Sequence, residues 1–331
     1  MKARTSYVVA AVVIAIVVSA AYLQSGSRPA NVPQSPIVLK GVGFSPRSFQ
    51  EADIDDFFAW AKQAGKAVRW AGDWMELSNL QNGGPVVVAS LASTYGYIPV
   101  IEVQFFRQSD GSLLRPLDEP TRKMYVASAA TFAERFKPPY LGFGIEVNVL
   151  YEKSPTVFDD FVSLYDQAYD VVKAKSPSTR VYTVFQLEKM KGLNGGLFGG
   201  QNDPSKAEWS LLERFPKSDL IAFTTYPSLV FREPSAISSD HYSQISVHMS
   251  KPVAFTEIGW HSGSHPSAWA SSEASQAEFV RTFFGLTKGM NVQLAIWSFL
   301  YDLNLQAPFD SMGLIRAAGT AKPAWNEWVA G

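Results

Sequence analysis

The chain has 331 residues, 47% of them hydrophobic and 18% charged, enough to bury a large core and unlike a disordered chain. Its 29 basic and 30 acidic residues leave a net charge of −1, which argues against a nucleic-acid binder, since that would need a basic stripe. The absence of cysteine excludes disulfides, thiol nucleophiles and cysteine-ligated metals. Of the four histidines, His261 and His265 stand four apart, but Gly263 and Pro266 oppose a helical metal pair, so no metal and no other cofactor is expected.

In chain order, Lys2 and Arg4 precede an apolar run over 7–23. This is the pattern of an export signal, with Ser19-Ala20-Ala21 offering small residues to a peptidase, or of a retained membrane anchor. Residues 24–36, rich in Ser, Pro, Gln and Asn, read as a linker. The folded part, 37–331, is therefore expected outside the cytoplasm, secreted or tethered, and monomeric, meeting a membrane only through its N-terminal segment. From residue 37 strands and helices alternate: a strand over 37–44, a helix over 52–64 ended by Gly65, a strand over 67–70 and a helix from 86. A third strand (97–105) and helix (121–136) follow, then a fourth strand ending on Glu146 with its helix over 156–174. The later pairs are 180–186 with 207–215, 219–225 with 241–249, a seventh strand ending on Glu257 with 273–287, and 291–298 with 323–329. Strict alternation implies a parallel sheet, and eight pairs suit a single α/β domain closed as a (β/α)₈ TIM barrel. The rival is an open doubly wound sheet, which usually has a glycine-rich loop after its first strand. Here Gly41-Val42-Gly43-Phe44-Ser45-Pro46 has no third glycine, and Pro46 spoils the helix start.

Two of these strands carry the chemistry. Each is a short buried-looking run that ends on a carboxylate: 140–148, with Glu146, and 251–260, with Glu257. A carboxylate at the end of a buried strand is costly unless paired, hydrogen-bonded or used. In a closed barrel the active site lies at the C-terminal ends of the strands, where both glutamates fall. Period-two alternation places Gly144, Glu146 and Asn148 on one face and Phe255, Glu257 and Gly259 on another. Two opposed carboxylates, one kept protonated and one ionised, are what hydrolysis of a glycosidic bond needs. The plain alternative is that each pairs with an arginine, such as Arg69 near the top of strand two, and only holds the barrel.

These residues resemble the large clan of (β/α)₈ retaining glycoside hydrolases that includes endo-1,4-galactanases, endo-1,3-glucanases and cellulase-like enzymes. Thr256-Glu257-Ile258-Gly259-Trp260 is similar to the clan's nucleophile strand, and the 222–227 segment, ending Thr225-Tyr226-Pro227, to its sixth strand. The resemblance covers the chain after the linker. It implies Glu257 as nucleophile, Glu146 as acid/base, Tyr226 touching the nucleophile, Arg69 hydrogen-bonding beside it, and Trp297 as an aromatic floor under the sugar. One position departs: the clan usually has Asn directly before the acid/base, bonding the sugar 2-hydroxyl, and here Ile145 stands there.

The expected function is double-displacement hydrolysis of a β-linked poly- or oligosaccharide, with the carboxyl groups ~5–5.5 Å apart for retention against ~6.5–9.5 Å for inversion. Asp73, Trp74, Gln104, Asn148 and Trp260 are further candidates for lining a sugar-binding groove, with Glu102, Gln186, Glu188 and His261 behind them. For each of these taken singly, loop packing is an equal reading. The rivals are a non-catalytic carbohydrate-binding barrel, motivated by Ile145, and a cell-surface transglycosylase that prefers a sugar acceptor to water.

Overall fold

A computed structural model of the protein describes residues 38–264 and 269–331. The N-terminal apolar run, the linker and His265 lie outside the described residues. The first half of the fold comprises β1 (Leu39–Gly43), α1 (Glu51–Ala64), β2 (Ala67–Asp73), α2 (Gly84–Tyr95), β3 (Ile98–Gln104), α3 (Glu119–Phe136), β4 (Tyr140–Phe143), α4 (Val147–Lys153) and α5 (Pro155–Lys175). The second comprises β5 (Arg180–Tyr182), β6 (Val184–Gln186), α6 (Leu187–Met190), β7 (Ile221–Thr225), α7 (Gln244–His248), β8 (Val253–Ile258), α8 (Glu273–Thr287), β9 (Val292–Trp297) and α9 (Pro323–Ala330).

The strands form one parallel sheet in the order β5-β4-β3-β2-β1-β9-β8-β7-β6. Its two ends are separated in sequence only by Thr183, so β5 and β6 are halves of one barrel strand and the chain itself joins the ends. At the break the Val184 N–H and the Thr183 hydroxyl both turn to the Gly144 carbonyl, at 3.1 and 3.3 Å. The result is a (β/α)₈ barrel.

Alternation along the strands sorts side chains into two layers. Ala67, Val100, Tyr182, Val184, Ala222, Ala254, Leu294 and Ile296 fill the barrel interior. Val68, Ile101, Leu141, Phe223, Phe255 and Trp297 face outward against the helices. The helices answer with their own stripes, such as Phe57, Phe58, Ala61 and Ala64 of α1, at the spacing of a buried helical face. Asp118 and Ser272 cap α3 and α8 by accepting from backbone N–H groups three residues on.

Two expected helices are shorter than their sequence pattern. The 207–215 segment is a 3₁₀ turn, Trp209–Arg214, because Phe215 precedes Pro216 and is held out of the helical region. The 241–249 segment contracts to α7.

Candidate active site

Glu257 faces the barrel axis because of one extra residue. Along β8, Val253 and Phe255 pack outward and Ala254 inward. Simple alternation would send Glu257 outward with Phe255. The pairing to β7 slips at this point: Phe223 opposes Phe255, but Thr224 opposes Glu257, leaving Thr256 as a bulge. A one-residue slip exchanges the faces of everything beyond it. The expectation that Phe255 and Glu257 share a face is thus corrected.

Turned inward, the Glu257 carboxylate is received by two donors. Arg69 Nη2 donates to Oε1 at 2.5 Å, and the Tyr226 hydroxyl donates to Oε2. Arg69 also donates through Nε to Glu102 at 2.6 Å, and Tyr182 donates to the other Glu102 oxygen at 2.9 Å. Burial alone would lower the Arg69 pKa, but the Glu102 and Glu257 carboxylates carry it above its usual value, so it stays a cation. Burial pushes the Glu102 carboxyl above the usual range against the pull of Arg69. Burial, reinforced by the Glu257 charge, holds the Tyr226 hydroxyl well above an ordinary tyrosine, so it remains a donor. Ser298 lies 2.9 Å from the same hydroxyl. Gly259 permits this approach, since a Cβ there would meet the Tyr226 ring at 2.7 Å.

Glu146 is presented differently. The fourth strand stops at Phe143, short of the expected end, and Gly144 and Glu146 both take left-handed backbone, with φ of 77° and 60°. A left-handed non-glycine residue costs ~1–3 kcal/mol and tends to occur at functional sites. The turn breaks the alternation predicted for 144–148. Glu146 occupies the N-cap position of α4, yet its carboxyl makes no cap hydrogen bond. It accepts instead from the Thr224 hydroxyl at 2.7 Å. Burial first, and the charge of Glu257 second, push its pKa up to about 7 against the opposing Thr224 bond.

Glu146 and Glu257 border one cavity of about 490 Å³, with Gln186, Lys189, Tyr226, Phe198, Phe299 and Phe309 among its walls. A second cavity, of about 380 Å³, is bordered by Arg69, Ala71, Phe44, Phe49, Ser298 and Leu303. The two share Glu257 and Phe299, whereas Glu146 belongs only to the larger.

Several groove candidates lie elsewhere. Trp297 is outward, where alternation with inward Ile296 sends it; it packs on Phe279 and Trp328 and donates to the Met312 carbonyl at 2.8 Å. Trp260 stacks on Phe279 and donates to Ser271. Trp74 is buried against Tyr125. Asp73 caps the turn after β2 and holds Arg115 at 2.7 Å. Gln104 bonds the Ile145 backbone. Asn148, on α4 rather than a strand, is buried and bonds both backbone groups of Gln186. Ile145 packs in the barrel interior. None of the three tryptophans borders either cavity, and the aromatic position there goes to Phe299. Continuing the inward alternation of Leu294 and Ile296 to Ser298 was the signal for Ser298. The same alternation from inward Ala222 marked Thr224, whereas no sequence signal marked Phe198 or Phe309.

Among the secondary candidates, Glu102 pairs with Arg69 and His261 is buried near the Trp269 carbonyl. Glu188 is fully buried and accepts from the Gln186 amide at 2.6 Å, the Thr225 hydroxyl at 2.7 Å and the Tyr226 N–H at 3.1 Å, so it anchors the turn that carries Tyr226. Burial opposes its ionisation, but the bond to His241 and these donors hold its pKa below the usual value.

The site is thus a pair of glutamates at the C-terminal mouth of a (β/α)₈ barrel. No family model and no curated protein matches the chain. Solved structures share its fold. A GH5_18 structure from Streptomyces cattleya, in complex with GlcNAc, matches at TM-score 0.66 with 15% identity over 90% of this chain and 80% of that one. A family 39 glycoside hydrolase from Bacteroides cellulosilyticus WH2 matches at TM-score 0.60 with 16% identity over 89% of this chain. An exo-β-1,4-mannosidase from Opitutaceae bacterium strain TAV5 matches at 0.62 with 13% identity over 88%. The chain spans 63% and 58% of the lengths of the latter two. At such identities the likeness is one of fold.

Proposed function

We propose that the protein is a glycoside hydrolase that cleaves a β-linked poly- or oligosaccharide with retention, by double displacement. The observation that carries this is the contrast between two glutamates on one cavity. Glu257 faces a cation and a phenol donor. Glu146 is pushed up to about 7 and keeps a proton near neutral pH. Two carboxyl groups in such different surroundings divide the labour between nucleophile and acid.

In this reading Glu257 attacks the anomeric carbon while Glu146 gives its proton to the leaving oxygen. A covalent glycosyl-enzyme forms and the leaving sugar departs. Glu146, now ionised, takes a proton from water as that water attacks the same carbon, releasing Glu257. Ionisation of Glu257 is relieved when its charge passes into the glycosyl bond, which lowers the Glu146 pKa penalty from the neighbouring charge and favours the switch from acid to base. Because Glu146 borders only the larger cavity, the leaving group lies there, towards Phe309 and Lys189. The other cavity, beside Arg69, takes the glycone side. Export or tethering through the N-terminal apolar run belongs to the same proposal.

The test is a screen of β-glucans, β-galactans and β-mannans for released reducing sugar, with the anomer of the first product read by NMR. Glu257→Ala is expected to lower turnover on the order of 10⁶-fold, the scale for loss of a covalent nucleophile. It should leave the fold intact, because Arg69 keeps Glu102. Sugar binding without release would favour the non-catalytic barrel, and turnover that survives Glu257→Ala would refute the nucleophile assignment.

A further inference from the structure

The cavity beside Arg69 has a neighbour. It shares Phe44, Phe49 and Ala71 with a third cavity of about 620 Å³, larger than either of the other two, which runs back between α1 and α2. This third space is walled by Ile54 of α1, Trp70 of β2, and Val87 and Leu91 of α2. Phe49 stands at the junction with 83% of its surface exposed, beside Phe44. The indole of Trp70 is accommodated by two glycines, since a Cβ at Gly72 or at Gly84 would overlap the ring.

Few polar side chains border the third cavity, chiefly Glu76, Asn82 and the Trp70 indole N–H, against the apolar surfaces of Phe44, Phe49, Ile54, Val87 and Leu91. In the third cavity Glu76 accepts from the Gly84 N–H at 2.8 Å, and Asn82 accepts from Asn79 at 2.6 Å. A hydroxyl-rich sugar ring pushed into the third cavity would give up bonds to water and find few replacements. A hydrocarbon packed against Phe44, Phe49, Ile54, Val87 and Leu91 would remove apolar wall from water. The volume lies in the range of small-ligand pockets, ~300–1,000 Å³.

We propose that this third cavity is a binding site for an acyl group carried by the substrate on its glycone side, and hence that the substrate is an acylated glycan. The acyl site rests on the cavities alone; its assignment to the glycan rests on the glycosidase reading above. Ala71, a small exposed residue near the C-terminal end of β2, borders both spaces.

Two measurements on the full chain test this separately. Calorimetric titration with 6-O-octanoyl-D-glucose and with D-glucose reads the acyl site without any turnover. Each methylene buried raises affinity about fourfold, so the ester is expected to bind at least tenfold more tightly. Val87→Trp, which fills the cavity from a partly exposed position, and Val87→Asp, which makes its wall polar, are both expected to abolish the difference. Hydrolysis of 4-nitrophenyl β-D-glucoside, galactoside and mannoside, each with and without a 6-O-octanoyl group, reads the link to the substrate. The acylated form of the sugar accepted should show at least tenfold higher kcat/KM, and Val87→Trp should remove that advantage while leaving the unacylated rate unchanged. Equal binding of ester and glucose, or a preference that survives both Val87 variants in folded protein, would overturn the acyl site. Acyl-dependent binding with identical hydrolysis of both forms would overturn its assignment to the glycan. Acyl-dependent binding with no hydrolysis of any glycan would refute the glycosidase reading and leave the acyl site standing.

Discussion

Glu146→Gln isolates the energetic consequence of the acid's environment. In the folded protein this carboxyl is pushed up to about 7, against 4.5 for an ordinary glutamate, by burial and then by the charge of Glu257. The folded state therefore binds more protons than the unfolded state between these two values. Stability from this group is fully present below pH 4.5 and is lost as pH rises through 7. At ~1.4 kcal/mol for each unit of pKa, the full loss is about 3 kcal/mol. Glutamine keeps the shape and does not titrate, so the variant escapes that loss. Relative to the parent, Glu146→Gln should gain up to about 3 kcal/mol between pH 4.5 and pH 8, which at ~2 °C per kcal/mol for a chain of this size is about 6 °C in Tm. Thermal melts of both proteins at pH 4.5 and pH 8 measure it, and the comparison cancels the titrating groups remote from Glu146. The parent's kcat/KM should also fall above pH 7 as the acid loses its proton. A Tm difference between the two proteins that is the same at both pH values, or an alkaline limb of kcat/KM centred near pH 4.5, would refute the reasoning.

Three other perturbations probe the surroundings of the nucleophile. Arg69→Met leaves two inward carboxylates without their cation and should cost ~3–5 kcal/mol; the loss in Tm should be smaller at pH 4.5, where Glu102 takes a proton more readily, than at pH 7. Tyr226→Phe removes one donor to Glu257 and should lower kcat about 10- to 100-fold, the worth of a hydrogen bond to a charged group, with Tm lowered by about 3–6 °C; an unaltered rate would exclude Tyr226 from the reaction. Phe299→Ala strips the ring common to both inner cavities and should raise KM about tenfold or more, measured on the polysaccharide found in the screen.

Much of this protein was legible before any coordinates. The alternation of apolar runs with helical stripes is a local property, and it marked the barrel, its strands and the positions of Glu146 and Glu257 near strand ends. Arg69 and Tyr226 were placed by resemblance to known strands and meet Glu257 in the structure. The tryptophans were misjudged because flatness and nearness to a strand end do not say which way a ring points. For Trp297 the register of Leu294 and Ile296 already implied the outward face.

The sequence by itself determined what local periodicity and burial can encode: a parallel α/β chain, eight strand–helix repeats, and carboxylates at the ends of two of them. Only the tertiary structure decided how those carboxylates are aimed. The bulge at Thr256 exists because β8 pairs out of step with β7, and that slip alone brings Glu257 to Arg69. The left-handed backbone at Glu146 is held by α4 on one side and Thr224 on the other. Both depend on pairings between segments remote in sequence, and a register of that kind has no signature in either segment read alone.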